Sequence, residues 1–292
     1  MIIQLIVNSL ISCCEIFLIA ISFSIIYHIT KFFHFAHAVI FTSGAYFAFL
    51  FTQVLGWSFY AAIPVAIILA LVLGGLMEIA LYKPLRKRKS SSIILLLASL
   101  GIYIVLQNLI SLFFGDDTKS IRTWEVKEGI NVFGAYITPV QIIIIVTSIF
   151  LVILVSGYLM LAETGKAMRA VASDSELANL SGIKSDGIIL IAFAIGSALA
   201  GIAGILVALD VDMTPTMGMN MLLMGVVAMI IGGVGSIGGI VLGSLFLAIA
   251  QNLAVWYISS QWMDASAFIV LLIFLLFKPE GFMGKKIRRA EI

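Results

Sequence analysis

The stretch that decides the fold is PVQIIIIVTSIFLVILVSGYLML at Pro139–Leu161, followed almost at once by ETGKAMRAVASDSELANLSGI at 163–183. The first part carries no charge and is long enough for a helix to cross the hydrocarbon core of a bilayer, which needs about 20 apolar residues. Lipid offers no hydrogen-bond partners, so backbone at that depth must be helical or shielded by other helices. The second part is polar and charged, which suits a short element at the membrane surface.

The composition excludes a soluble globular protein. Of the 292 residues, 62% are hydrophobic and only 11% are charged, whereas a soluble domain carries about 25% charged residues. The apolar residues also run too continuously to fit one aqueous core. We therefore predict an all-α polytopic membrane protein in which residues 1–292 form a single transmembrane domain.

Long apolar runs recur along the chain and predict about eight or nine transmembrane helices. Some runs are short, which is typical of broken or re-entrant segments. The candidate spans are 3–27, 39–55, 60–81, 93–114, 139–161, 187–209, 217–231, 240–258 and 265–277.

Basic residues near the span ends predict the orientation, because Lys and Arg concentrate on the cytoplasmic side. Tight basic clusters occupy 83–89 and 278–289, so both are predicted to be cytoplasmic. The loop 115–138 has no excess of basic residues and suits the outside. Counting crossings then places 163–186 in the cytoplasm. The N-terminus is outside if all three apolar runs before the basic cluster at 83–89 cross the membrane, and inside if one of them is re-entrant.

Two polar interruptions divide neighbouring apolar runs, TKFFHFAHA at 30–38 in the first half and DVDMTPTMG at 210–218 in the second. The second is followed by a glycine-dense segment at 231–243. Paired interruptions in two halves are typical of an internal repeat with broken helices beside a translocation path. The candidate translocation-path residues are His34, His37, Ser43, Gly44, Pro215, Gly232, Gly233, Gly235 and Ser236.

The same interruptions are also compatible with ordinary surface loops, and the glycines with close helix packing. A metal site at the two histidines is not expected, because no Cys, Asp or Glu lies close in sequence to complete the ligand set.

The polar segment 163–183 predicts two short helices. Thr164 stands at the start, and an apolar face follows at three- and four-residue spacing. Ser173 and Glu176 match the capping-box pattern, so a second helix is predicted to begin at Asp174. Gly182 is a natural C-terminal cap. Helices this short form no core of their own, so we expect them to dock in a groove of a partner.

Two carboxylates lie within apolar runs, where a charge is expensive and often functional. Glu78 is one turn from Tyr82 and two turns from Arg86, so we expect it near the interface, paired with a cation. Glu15 is deeper in its run. It is compatible with a water-filled path, with proton carriage or with a partner on a neighbouring helix.

Five motifs together resemble the branched-chain amino acid permease family of ABC transporters, of the type with a short N-terminus. The segment 165–183 is similar to the family's coupling loop, and the other four motifs follow in the family's order along nearly the whole chain. Two departures are His34 in place of the motif's Asn and Ala38 in place of its final Gly. The other motifs are FHFAHA at 33–38, Glu78-x-x-x-Tyr82-x-Pro84-Leu85-Arg86, IGGVGSI-x-G at 231–239 and Lys278-Pro279-Glu280-Gly281.

The resemblance implies a permease domain with a coupling loop at 163–186, in an ATP-driven importer of the bacterial inner membrane. It implies a homologous permease as dimer partner, two ABC ATPase subunits below and an extracytoplasmic solute-binding protein above. The partner subunits hydrolyse ATP, and this chain binds no cofactor, contacts lipid and contacts no nucleic acid. The coupling residues that the motif implies are Gly165, Arg169, Ala170, Asp174, Ala178, Gly182 and Ile183.

Other functions stay open on the residues alone. Urea, short amides or other small polar solutes fit the same architecture, because the binding protein often selects the substrate. A stand-alone proton- or ion-coupled carrier, with Glu15 as the coupling carboxylate, is the alternative from another class. An enzyme is not expected, because the chain has no H-E-x-x-H or G-x-S-x-G motif, and 232–243 lacks the G-K-[ST] ending of a P-loop.

Overall fold

The computed structural model describes residues 2–124, 129–132 and 134–284. Within these ranges the regular structure is helical except for one antiparallel hairpin, Ile130–Val132 (β1) paired with Ala135–Ile137 (β2). The predicted all-α membrane fold is confirmed. Charges at 125–128 and the basic residues at 285–289, which entered the orientation argument, lie outside the described residues. The helices are α1 (Ile2–Thr30), α2 (His37–Phe49), α3 (Phe59–Met77), α4 (Lys83–Lys87), α5 (Ser92–Phe114), α6 (Pro139–Leu161), α7 (Glu163–Ser173), α8 (Ser175–Leu180), α9 (Ser185–Val211), α10 (Met217–Gly232), α11 (Ile237–Tyr257) and α12 (Met263–Phe277).

Eight helical segments of the described chain are long and apolar enough to cross a membrane, which agrees with the predicted eight or nine. Two of them contain a π-helical turn: Leu50–Val54 extends α2, and Glu78–Tyr82 joins α3 to α4. Helix α10 has 16 residues. At 1.5 Å per residue it is about 24 Å long, shorter than a hydrocarbon core of about 30 Å.

Both predicted interruptions are breaks between helices. In each break the residue directly after the long helix has a left-handed backbone, Lys31 (φ 57°) after α1 and Asp212 (φ 67°) after α9. Such a conformation is uncommon for any residue other than glycine. Each break therefore opens with a residue of positive φ, at corresponding points of the two halves.

Helices α1–α3 and α9–α11 pack as two related triplets. The first helix of each triplet packs on the second and third helices of the other: α1 packs on α10 and α11, and α9 packs on α2 and α3. Equivalent helices also meet, α1 with α9 and α2 with α10. The two long helices run in opposite directions, because α1 starts near the hairpin and α9 ends near the loop that contains it. This arrangement is that of an inverted repeat.

The core lies where the two triplets meet. Most residues of α1, α2 and α9 are buried, whereas only a minority of the residues of α3, α5, α6 and α12 are. Small residues permit the central crossing: a Cβ on Gly44 would lie 2.5 Å from the Cα of Gly201. Glycine at such crossings lets membrane helices approach at backbone distance.

The N-terminus lies on the same side as the loop 115–138. The Gln4 side chain donates to the carbonyl of Tyr136 (3.2 Å) and accepts from its N–H (2.8 Å). At the other end of α1, the ring of His28 lies beside Gly235, close to the C-terminal segment at Met283. Helix α1 therefore passes right through the bundle, with its first residues at the same end as the hairpin.

Candidate functional site

Helix α7 is folded against the end of α6. Gly165 is buried there, and a Cβ at this position would lie 2.8 Å from both the Cα and the carbonyl oxygen of Leu159. The Thr164 hydroxyl donates to the hydroxyl of Tyr158 (2.6 Å), and the Arg169 guanidinium donates to the carbonyl of Leu159. That carbonyl belongs to the last turn of α6, whose carbonyls lack partners within the helix. Arg169 thus caps α6 and fixes α7 to it.

Helix α8 begins one residue later than the sequence predicted. Asp174, rather than Ser173, is the N-cap residue: its carboxylate accepts from the N–H groups of Glu176 and Leu177, both at 2.9 Å. Ser173 is the last residue of α7, so its backbone is helical and it cannot adopt the extended N-cap conformation. The predicted capping box is therefore wrong, although the division into two short helices is right.

The end of α8 is built as predicted around Gly182. Its φ of 87° is left-handed, its N–H donates to the carbonyl of Asn179, and the N–H of Ile183 donates to that of Ala178, both at 3.0 Å. This pair of bonds is a Schellman motif, which favours glycine at the left-handed position.

The predicted coupling residues all lie in this two-helix loop, but they differ in exposure. Gly165 and Ala178 are buried against the bundle, Ala170 and Ile183 are half-buried, and Arg169, Asp174 and Gly182 are exposed.

Two apolar side chains of α8 were not among the predicted coupling residues. Leu177 is 61% exposed and Leu180 is 85% exposed, in a loop that otherwise presents polar groups to its surroundings. Their spacing of three was visible in the sequence, but their exposure depends on how α8 lies on α9. They form a small apolar patch, which we call the α8 leucine patch.

The first helix break holds two fully buried histidines. The Nδ1 of His34 lies 2.9 Å from the hydroxyl of Tyr82, and the Nε2 of His37 lies 2.8 Å from the hydroxyl of Ser22. The two rings are 5.6 Å apart. Within the described ranges no cluster of three or more His, Cys, Asp or Glu residues is placed to hold a metal ion. The two histidines thus join the break to α1 and to the π-helical turn after α3.

The other candidate path residues fall into three places. Ser43 is buried on α2, one residue before the close crossing at Gly44. Pro215 is buried in the second break. Gly232, Gly233, Gly235 and Ser236 form the turn between α10 and α11, near the end of α1. Ser236 serves there as N-cap of α11, accepting from the N–H of Gly239 at 3.1 Å.

One cavity connects the two-helix loop α7–α8 with this turn. It has a volume of about 440 Å³ and lies between α1, α6, α7 and α11. Arg169 and Met168 line it on one side, and Gly235 and His28 on another. Arg169 from the predicted coupling residues and Gly235 from the predicted translocation-path residues therefore line the same cavity. Pro215, another predicted path residue, lies at the opposite end of the bundle.

The two intramembrane carboxylates have different surroundings. Glu78 is 1% exposed and accepts from both terminal nitrogens of Arg86, as predicted for a carboxylate paired with a cation. Glu15 is half-buried, and its Oε1 has no hydrogen-bond partner among the described residues.

Together these features define a multi-pass helical membrane protein with a two-helix loop at one end of the bundle. A family model described as branched-chain amino acid transport system / permease component matches residues 5–277. The chain belongs to this family of permease components, whose members transport solutes.

Several relatives agree in length and sequence. The chain is 32% identical over 282 residues to the high-affinity branched-chain amino acid transport system permease protein LivH of Escherichia coli (strain K12), covering 92% of this chain and 91% of the relative. It is 31% identical over 297 residues to the corresponding protein BraD of Pseudomonas aeruginosa, covering 97% and 95%. The autoinducer 2 import system permease protein LsrC of Photorhabdus luminescens is 27% identical over 228 residues, covering 74% and 65%.

A solved structure has a similar fold. PsaBC from Streptococcus pneumoniae in complex with Fab superposes with a TM-score of 0.52 and 13% identity, covering 94% of this chain and 91% of that one. At this identity the likeness concerns the fold alone.

Proposed function

We propose that this chain is the permease subunit of an ABC importer for branched-chain amino acids in the bacterial inner membrane. It pairs with a second permease, identical or homologous, and receives its substrate from an extracytoplasmic solute-binding protein. Two ABC ATPase subunits bind on the cytoplasmic side and hydrolyse ATP. The chain itself binds no nucleotide and forms no covalent intermediate.

The observation that carries this proposal is the α8 leucine patch. Leu177 and Leu180 expose apolar surface to water on a six-residue helix. Burying a leucine side chain against a partner would contribute about 1.5–3 kcal/mol to the free energy of binding. The helix is anchored behind them, because Ala178 packs inward and α7 is fixed to α6. A short amphipathic helix held out from a membrane domain suits docking in the groove of a soluble partner.

The substrate class rests on the relatives. LivH and BraD are both named as permeases of high-affinity branched-chain amino acid transport, and both match this chain over more than nine-tenths of their length. LsrC, a more distant relative, is named for a different solute. Another small polar solute is therefore the alternative within the same architecture.

Reconstitution of the complete transporter tests the proposal. Proteoliposomes containing this chain, its partner permease and the ATPases should accumulate labelled leucine under two conditions only. ATP must be on the side of the membrane where the ATPases are bound, and the solute-binding protein must be on the opposite side. The same vesicles without the ATPases should accumulate none. Uptake by the permease without any ATPase would instead support a secondary carrier, and uptake of urea or a short amide in preference to leucine would redirect the substrate class.

A further inference from the structure

The junction between α8 and α9 is stiff. The Schellman turn at Gly182 leads into α9 within three residues, and two side-chain bonds close the corner. Asn179 accepts from the N–H of Ser185 (3.0 Å), and the Ser185 hydroxyl donates to the carbonyl of Ser175 (3.1 Å). A displacement of α8 must therefore move the first turn of α9 with it.

That first turn of α9 carries Asp186, which faces two cations of α4. Its Oδ1 lies 3.5 Å from Arg86 Nη2, and its Oδ2 lies 3.6 Å from Lys83 Nζ. Asp186 is 46% exposed. A half-exposed ion pair of this kind contributes little to stability. Its position between two elements, rather than its strength, is the notable feature.

Arg86 connects Asp186 to a buried carboxylate. Its guanidinium donates to both oxygens of Glu78, from Nη1 at 2.9 Å and from Nη2, and the same Nη2 lies near Asp186. Glu78 opens the π-helical turn that Tyr82 closes. π-helical turns are rare and are frequently found at functional sites. A buried carboxylate left without its cation is strongly destabilising. When Arg86 moves, the π-helical turn that carries Glu78 is therefore expected to move with it.

Tyr82, at the far end of the same turn, holds the first helix break. Its hydroxyl lies 2.9 Å from Nδ1 of His34. Both residues are fully buried, and both rings pack on Phe193 of α9. The N–H of Ala36 in the same break donates to the hydroxyl of Ser99 (3.2 Å). Side chains from the π-helical turn, α5 and α9 thus hold the break, in addition to backbone bonds within it such as that from the N–H of His37 to the carbonyl of His34 (3.1 Å).

We propose that the charged and hydrogen-bonded chain Asp186–Arg86–Glu78/Tyr82–His34 transmits ATP-driven movement of α8 to the break between α1 and α2. Asp186 and Arg86 act as positioning residues, and the break is the element that changes. The proposal rests on the proposed function, since it requires an ATPase to move α8. It assigns the motif Glu78-x-x-x-Tyr82-x-Pro84-Leu85-Arg86 a role in coupling.

The reconstituted transporter with full-length Asp186→Asn tests it. We expect the ATPases to bind normally and leucine uptake per ATP hydrolysed to fall about 5- to 10-fold, within the range typical of coupling between sites. Asp186→Glu keeps the charge and should restore most of the ratio. Asp264→Asn, an exposed acidic residue of α12 at the opposite end of the bundle, is the matched control and should leave the ratio unchanged.

A second readout follows the break itself. Lys31 is exposed at the start of the break, and the two native cysteines are buried, so Lys31→Cys provides a labelling site. ATP should change its rate of labelling by a maleimide, and Asp186→Asn should abolish that change. Arg86→Lys, which keeps the charge but loses the forked geometry, should reduce it.

The outcomes separate the two proposals. If Asp186→Asn retains both the wild-type uptake ratio and the ATP-dependent labelling change, the transmission chain is wrong, while the importer stands. If ATP changes nothing at Lys31→Cys in the otherwise unchanged transporter, the break is not the moving element and the inference fails. If the permease never binds the ATPases, the proposed function fails first.

Discussion

Gly165 offers the sharpest test of how the coupling loop is held. A methyl group added by Gly165→Ala would lie 2.8 Å from the Cα and the carbonyl oxygen of Leu159, and still closer to the carbonyl oxygen of Tyr158. These are backbone atoms and cannot rotate away. Restoring the two Leu159 contacts from 2.8 Å to an ordinary 3.4 Å requires α7 to shift by about 0.6 Å, and relieving the closer contact with Tyr158 requires a larger shift. Such a shift stretches the capping bond from Arg169 to α6.

The expected magnitude follows from two opposing effects. Overpacking costs about 1–3 kcal/mol, and replacing glycine by alanine within a helix recovers about 1 kcal/mol. The backbone clash at Gly165 places the cost in the upper part of its range. We therefore expect the docked position of α7 to lose about 1–2 kcal/mol, which reduces its population relative to the undocked form roughly 5- to 30-fold.

The assay is limited trypsin digestion of membrane vesicles, read at Lys166 and Arg169, together with leucine uptake by the assembled transporter. Cleavage tracks the population of the open form when opening is fast, so Gly165→Ala should be cut faster and transport less. Gly187→Ala is the matched control, because a Cβ there meets no atom of the described residues within 4 Å. Equal digestion and uptake for the two variants would refute the packing argument.

Three further predictions concern single residues. Gly182→Ala forces a left-handed backbone on alanine, at a cost of about 1–2 kcal/mol. Uptake should therefore fall, while membrane insertion, measured as the yield of permease in vesicles, stays unchanged. A loss of uptake no larger than that of Gly187→Ala would contradict the role of the Schellman turn. Asp174→Ala should destabilise α8 by about 1 kcal/mol and accelerate proteolysis of the loop, whereas Ser173→Ala should not; the reverse order would restore the capping box at Ser173. Glu15→Gln should leave the pH dependence of uptake unaltered in an importer; its loss would favour a proton-coupled carrier.

Much of the architecture follows from local sequence, because lipid leaves the backbone few choices. Apolar length predicts the spans, and Lys31 with its polar neighbours marks the first break. Glu78 and Arg86 lie two turns apart on one face, so their pairing was also predictable. Each of these features depends on residues within one helix or one turn.

The features that were missed depend on contacts between distant segments. His34 meets Tyr82 across 48 residues, and no spacing rule connects them. Asp186 joins Arg86 only because α9 packs beside α3. The N-cap of α8 is Asp174 rather than the predicted Ser173, because α7 continues through Ser173.

The translocation-path prediction stays open at most of its residues. Gly44 has a packing reason to be glycine, since it crosses Gly201 at backbone distance. Ser236 has a structural role as an N-cap. Each of these structural roles accounts for the residue type by itself.

The central claim is that α8 docks this permease on an ABC ATPase. The most direct measurement is co-purification of the ATPases with the full-length permease carrying both Leu177→Asp and Leu180→Asp. We predict at least a tenfold loss of bound ATPase with normal membrane yield, while Leu177→Met with Leu180→Met, which keeps the patch apolar, retains wild-type binding. Full ATPase binding by the aspartate variant would contradict the account.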